Sequence, residues 1–129
     1  MDIYHIKTNR KDDIMIEELK KKIEDSYYWD ARVKALDCNY FGDEVKLVFE
    51  DGKNNITYYF EGCYKVNIEH AVEYTKDRAS RELTSAQIPY FMQNVELKEI
   101  KIFDKKYIDF KINLYPIELL IVCTKFSIF

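Results

Sequence analysis

The stretch ARVKALDCNYFGDEVKLVFEDGKNNITYYFEGCYKV, residues 31–66, decides the fold of this chain. Its apolar side chains recur at every second position, with Val45, Leu47 and Phe49 on one face, which is the period of a strand with one face buried. Gly42-Asp43 and the run Asp51 to Asn55 interrupt that alternation with residues that tolerate left-handed backbone, so each reads as a turn. Three strands follow in a β-meander: residues 31–40, 44–50, and a long third strand over 56–71. Gly62 falls inside the third strand, where a lone glycine marks a bulge or a bend.

Upstream, DDIMIEELKKKIEDS has period 3.6 rather than two. Ile16, Leu19 and Ile23 share one face, Asp12 or Asp13 can cap the first amides, and Glu17/Lys21 and Glu18/Lys22 are spaced for ion pairs. An amphipathic helix is expected there. IYHIK before it is compatible with a short strand or an arm.

Downstream, the alternation disappears between His70 and Asn94, and Thr84-x-x-Gln87 offers a capping box for a short helix over 85–93. A second meander is then expected: VELKEIKIF, a turn at DKK, YIDFKINLY with Ile108, Phe110, Ile112 and Leu114 on one face, and IELLIVC. The last segment is apolar on both faces, which suits a central strand covered by the N-terminal helix. The expectation is an α+β domain spanning residues 1–129, with about six antiparallel strands in two meanders, the helix packed on the sheet and a short helix between the meanders.

Composition agrees with one folded unit. The chain has 129 residues, enough for a self-sufficient core, and only three Gly and two Pro, which leaves little linker material. The net charge of −3 is concentrated: residues 27–75 carry five basic and nine acidic side chains, whereas residues 76–129 carry nine and seven. Such a balance gives no general attraction to phosphate backbones, so direct nucleic-acid binding is disfavoured. The N-terminus lacks the apolar core of a signal peptide and no run approaches a membrane-spanning length, so a cytoplasmic protein without a membrane partner is expected. Cys38, Cys63 and Cys123 are widely separated and read as small core residues kept reduced.

No catalytic signature is present. Glycines at 42, 52 and 62 form no phosphate loop, and neither His5 nor His70 stands in a catalytic spacing. Asp43, Glu44, Glu50 and Asp51 could crowd a metal, but acids in turns are usually solvated. No enzyme activity, metal or cofactor is therefore expected. Tyr59, Tyr64 and Tyr74 alternate with Glu61, Glu69 and Glu73, and YYWD at 27–30 holds the only Trp. Acid-and-tyrosine surfaces suit a basic protein partner, while YYWD reads either as a core plug or as a contact.

The W-D-x-x-V approach to the first strand (Trp29–Val33), the G-D-x-V-x-L hairpin (Gly42–Leu47) and the closing strands ending in Cys123-Thr124-Lys125 resemble small bacterial immunity proteins of polymorphic toxin and contact-dependent inhibition systems. The resemblance assigns no subfamily. It implies a stoichiometric inhibitor that binds a cognate toxin domain, often a nuclease, and occludes its active site. Charge and aromatic placement then nominate Asp43, Glu44, Asp51, Tyr59, Glu61, Glu69, Glu73 and Tyr74 as partner-binding residues, with Tyr28, Trp29 and Asp30 as a second patch. The competing class is a small-ligand-binding or enzymatic α+β domain, which needs polar residues on the inward face. A third is an assembly module whose exposed strand edge pairs with another copy.

Overall fold

The computed structural model describes residues 16–70 and 90–129. Residues 16–25 are helical (α1) and bury Leu19 and Ile23, with Ile16 packed beside them, so the 3.6-residue period sets the buried stripe. The ion pair on this helix joins Lys20 to Glu17 at 3.7 Å, in place of the two i,i+4 pairs expected from spacing. Both kinds are surface contacts worth a few tenths of a kcal/mol, ~0.3, so the change has little consequence. The possible arm at IYHIK and the caps Asp12 and Asp13 lie outside the described residues.

Among the described residues six strands follow: β1 (Val33–Asn39), β2 (Glu44–Glu50), β3 (Asn55–His70), β4 (Asn94–Ile102), β5 (Lys105–Leu114) and β6 (Ile117–Ile128). They form one antiparallel sheet in the order β1-β2-β3-β6-β5-β4, so each meander contributes its third strand to the centre. The apolar β6 lies between β3 and β5, as its two-sided hydrophobicity requires. Of the helix expected over 85–93, residues 85–89 lie outside the described residues, and residues 90–93 are extended instead. They pair with the chain entering β1: Asp30 N–H donates to Met92 O at 2.8 Å, Met92 N–H to Ala31 O at 2.8 Å, and Val33 N–H to Tyr90 O at 2.9 Å. Because β1 and β4 are the two edges, this pairing ties the sheet's edges at one corner and curls it around its core.

The core is the inner face of that curl. Val45, Leu47, Phe49, Tyr58, Phe60, Phe110, Ile112, Leu114, Leu119 and Ile121 are fully buried there, and among the described residues the tyrosine hydroxyl is the polar exception in an otherwise apolar set with no buried charge. Phe60, Phe110 and Phe126 form a triangle of rings with centroids 4.8–5.0 Å apart. Tyr58 hydrogen-bonds the Ser26 hydroxyl at 2.7 Å, which fastens the end of α1 to the sheet.

Gly62 is where β3 changes face. Its φ is +61°, the register to β6 shifts between Cys63 and Lys65, and an added Cβ would lie 2.1 Å from the Thr124 hydroxyl. Thr124 Oγ1 donates to Glu61 O across the same bend at 3.3 Å. Inward positions on β6 switch there too, from Leu119, Ile121 and Cys123 to Phe126.

Candidate partner-binding surface

Five of the first group of nominated residues divide between the two ends of the β1–β2 hairpin. At its tip stand Asp43, Glu44, Tyr59 and Glu61. Glu44 faces Glu61 in the β2–β3 register, accepts a hydrogen bond from the Tyr59 phenol and another from Asn39 Nδ2 at 3.0 Å, and lies 3.8 Å from Lys46 Nζ. Glu61 lies 4.0 Å from Lys125 Nζ. These two carboxylates are thus partly spent on organising the tip, and Asp43 remains exposed beside them.

Sequence reasoning missed the tip's most prominent groups. Tyr40 and Phe41 are 73% and 112% exposed, and both hold left-handed backbone, φ 53° and 58°. Such a conformation costs a bulky residue roughly 1–2 kcal/mol, which no burial of these rings offsets. The available signal was the pair of aromatics standing where turn chemistry calls for Asn, Asp or Gly.

At the other end of the hairpin, Asp51 joins the second patch in an open cleft of about 720 Å³ lined by Tyr27, Trp29, Asp30, Arg32, Glu50, Asp51 and Phe91. Local geometry explains how it forms. α1 ends with Ser26 N–H bonded to Lys22 O and Tyr27 N–H to Glu24 O, both at 3.1 Å, and Tyr27 takes the left-handed position (φ 48°) that glycine usually fills after a helix. The chain then turns again at Asp30 (φ 62°), a residue type that accepts this conformation, and enters β1. Trp29 is left 49% exposed and Tyr27 75%.

Tyr28 lies beneath this patch rather than displayed on it. It is buried, its ring stacks under Trp29 with centroids 4.4 Å apart, and its hydroxyl accepts from Val95 N–H at 3.3 Å. YYWD is therefore both a plug, through Tyr28, and a display, through Tyr27 and Trp29. On the far wall, the Arg32 guanidinium lies 5.9 Å from the centre of the Phe91 ring. Glu50 is held by Lys34 at 2.7 Å, and Asp51 Oδ1 caps the turn by accepting from Asn54 N–H at 3.2 Å. Asp30 has no ion-pair partner among the described residues.

Glu69 stands apart from both groups near the end of β3, and Glu73 and Tyr74 lie outside the described residues. Another recess, about 470 Å³, opens at the ends of β3 and β5 around Glu69, His70 and Glu118, where His70 Nε2 hydrogen-bonds the Tyr90 hydroxyl at 2.8 Å. Among the described residues no Ser, Thr or Cys lines it. Among the described residues no three His, Cys, Asp or Glu are arranged to hold a metal. The cysteines are free thiols at three depths: Cys123 buried, Cys63 half-buried and Cys38 exposed, the last contrary to the core role expected for it. Burial pushes the Cys63 and Cys123 thiols up to about 11 and about 12, so both stay protonated near neutral pH and are poor nucleophiles.

The tip gives a titration prediction. The Tyr59 hydrogen bond is the main reason the Glu44 carboxyl sits below its ordinary 4.5, and the same bond, with desolvation, raises the Tyr59 phenol to about 12. Glu44 is depressed in the fold, so its contribution to stability is present above the ordinary carboxylate range and is lost as pH falls through its folded value. Tyr59 is raised, so its contribution holds below about 10 and is lost as pH rises towards about 12. Tyr59→Phe is expected to move the Glu44 carboxyl back towards 4.5, read from its side-chain carbon shift in an NMR titration.

The family model described as Immunity protein PIM7 matches residues 15–129. No curated protein matches the chain. No helix among the described residues is long and apolar enough to cross a membrane.

Proposed function

Because this chain belongs to the Immunity protein PIM7 family, we propose that it protects its host cell by binding a cognate toxin domain one-to-one and occluding that domain's active site. The first meander is the contact surface, with the Trp29 cleft as its anchor. The observation that carries this reading is the convergence of Trp29 and Asp30 with Asp51, which arrive from different parts of the sequence in one open cleft. A stacked, half-exposed Trp is an anchor that loses little side-chain entropy on binding, and Trp is enriched among residues that dominate interface energy. Carboxylates at its rim steer a basic partner and oppose its positive groove. A toxin that must engage nucleic acid has such a groove, which favours a nuclease of the polymorphic or contact-dependent type. The reading is non-enzymatic, and it places the protein in the cytoplasm, where such a toxin acts and where thiols remain reduced.

The test is co-expression with the toxin domain encoded beside this chain's own reading frame. Growth should be restored and the two proteins should co-purify as a one-to-one complex; loss of both would contradict the proposal. Trp29→Ala is expected to weaken the complex by about 2 kcal/mol, roughly thirtyfold in Kd. Asp30→Asn with Asp51→Asn, which respects the left-handed backbone at position 30, should slow association several-fold at low salt, an effect that fades as salt screens it. Calorimetry and stopped-flow fluorescence of Trp29 read these outcomes.

A further inference from the structure

The hairpin of the first meander stops short of its neighbour. The last β2–β3 pair is Glu44 with Glu61, and beyond Cys63 N–H, bonded to Asp43 O at 3.1 Å, β3 continues to His70 with β6 on one side only. Among the described residues, nothing pairs with the other edge of residues 64–70. A free edge of that length is a template for strand addition, which natural sheets usually suppress by covering it or by setting charges along it.

This edge carries the opposite arrangement. The sequence YKVNIEH, read antiparallel against itself about Asn67, sets Lys65 opposite Glu69 of a second copy, Val66 opposite Ile68, and Tyr64 opposite His70, each pair occurring twice. The faces agree with the chemistry. Val66 and Ile68 pair with the buried Ile121 and Leu119, so they lie on the core side, while Lys65, Asn67 and Glu69 lie on the other. Tyr64 and Ile68 are exposed to 57% and 43%. Neither Lys65 nor Glu69 has an ion-pair partner among the described residues, and Glu69 stands directly opposite the like charge of Glu118 on β6. A cation arriving from the open side offsets that repulsion.

We propose that the edge of β3 left open among the described residues, residues 64–70, pairs antiparallel with the same edge of a second copy of this chain, with Asn67 on the two-fold axis. The interface is isologous, joining two sheets into one, and closes at two copies because the two-fold pairing uses this segment once from each. It does not use the Trp29 cleft, and it stands independently of the toxin reading.

Sedimentation velocity of the full chain across the micromolar range tests it. The wild type should shift from monomer to dimer with concentration. Lys65→Glu and Glu69→Lys each create two like-charge pairs and should raise the dimer dissociation constant about tenfold or more. Mixing the two variants restores both opposite-charge pairs, and the mixture should dimerise where neither variant does alone. Dimerisation of the mixture also establishes that both variants are folded, and circular dichroism of each checks the same point. A wild type that stays monomeric, a dimer indifferent to either reversal, or variants that fold but do not recover on mixing would each overturn the proposal, as would a toxin strand found on this edge of a monomeric chain.

Discussion

Phe60→Ala is expected to destabilise the domain by about 3–5 kcal/mol, seen as a lower midpoint of urea unfolding at an unchanged slope. Phe60 is fully buried on β3 and links the two meanders through two rings: it meets Phe110 of β5 edge to face at 5.0 Å and Phe126 of β6 at 5.0 Å. Removing it strips the favourable ring geometry from both neighbours and leaves a void that the curled sheet cannot close, because the surrounding inner face is already filled by Val45, Leu47, Ile112 and Ile121. Against a total stability of about 5–15 kcal/mol for a domain of this size, such a loss removes a large share of the margin. Phe60→Leu, which retains most of the volume, should cost much less. Equal effects of the two substitutions would argue against the ring cluster as the link between the halves.

Gly62→Ala is expected to cost about 2–3 kcal/mol from the addition of one methyl group. Two causes contribute. The backbone sits at φ +61°, where an L side chain costs roughly 1–2 kcal/mol, and the new Cβ lands 2.1 Å from Thr124 Oγ1. Thr124 can turn its hydroxyl away, but only by breaking its bond to Glu61 O at the bend. The pair of causes can be separated. Adding Thr124→Ala to Gly62→Ala should recover the contact penalty and leave the backbone penalty, so the double variant should be more stable than the sum of the two single effects. Full additivity in urea unfolding would mean that the clash is relaxed elsewhere.

The same bend explains where the sequence could and could not be read. On β2 and β5 the inward positions keep strict alternation, Val45-Leu47-Phe49 and Ile108-Phe110-Ile112-Leu114; β2 forms over the expected residues 44–50, and the strand expected over 107–115 forms as Lys105–Leu114. On β6 the alternation breaks at Thr124-Lys125, both exposed between buried Cys123 and Phe126, so the strand expected over residues 117–123 in fact runs to Ile128. A face switch at a bend removes the period-two signal although the backbone remains extended. The β4–β5 turn shows a related effect. It lies at Phe103-Asp104, both left-handed, rather than at residues 104–106, because an aromatic residue is no turn signal.

The candidate site was legible residue by residue but not as an arrangement. Trp29 and Asp30 belong to one nominated patch and Asp51 to the other; the β1–β2 register, with Val33 opposite Phe49 and Glu50 N–H on Arg32 O, makes them neighbours, and the pairing of Tyr90–Met92 with the start of β1 carries Phe91 to the cleft. That pairing is between segments far apart in sequence and carries no local pattern. Glu44 and Glu61 illustrate the reverse case: their charge was evident, but Tyr59, Asn39 and the lysines at 46 and 125 engage them, which shifts weight to Asp43 and to the exposed Tyr40 and Phe41.

Amide hydrogen exchange of this chain, alone and with its cognate toxin domain, is the most direct measurement of the central claim. Binding through the first meander should slow exchange at residues 27–32 and 50–52 around the cleft, with a smaller effect at the tip near residues 40–44, and leave β4 and the β4–β5 turn unchanged. Protection confined to β4 and that turn, with the cleft amides exchanging as in the free protein, would contradict it.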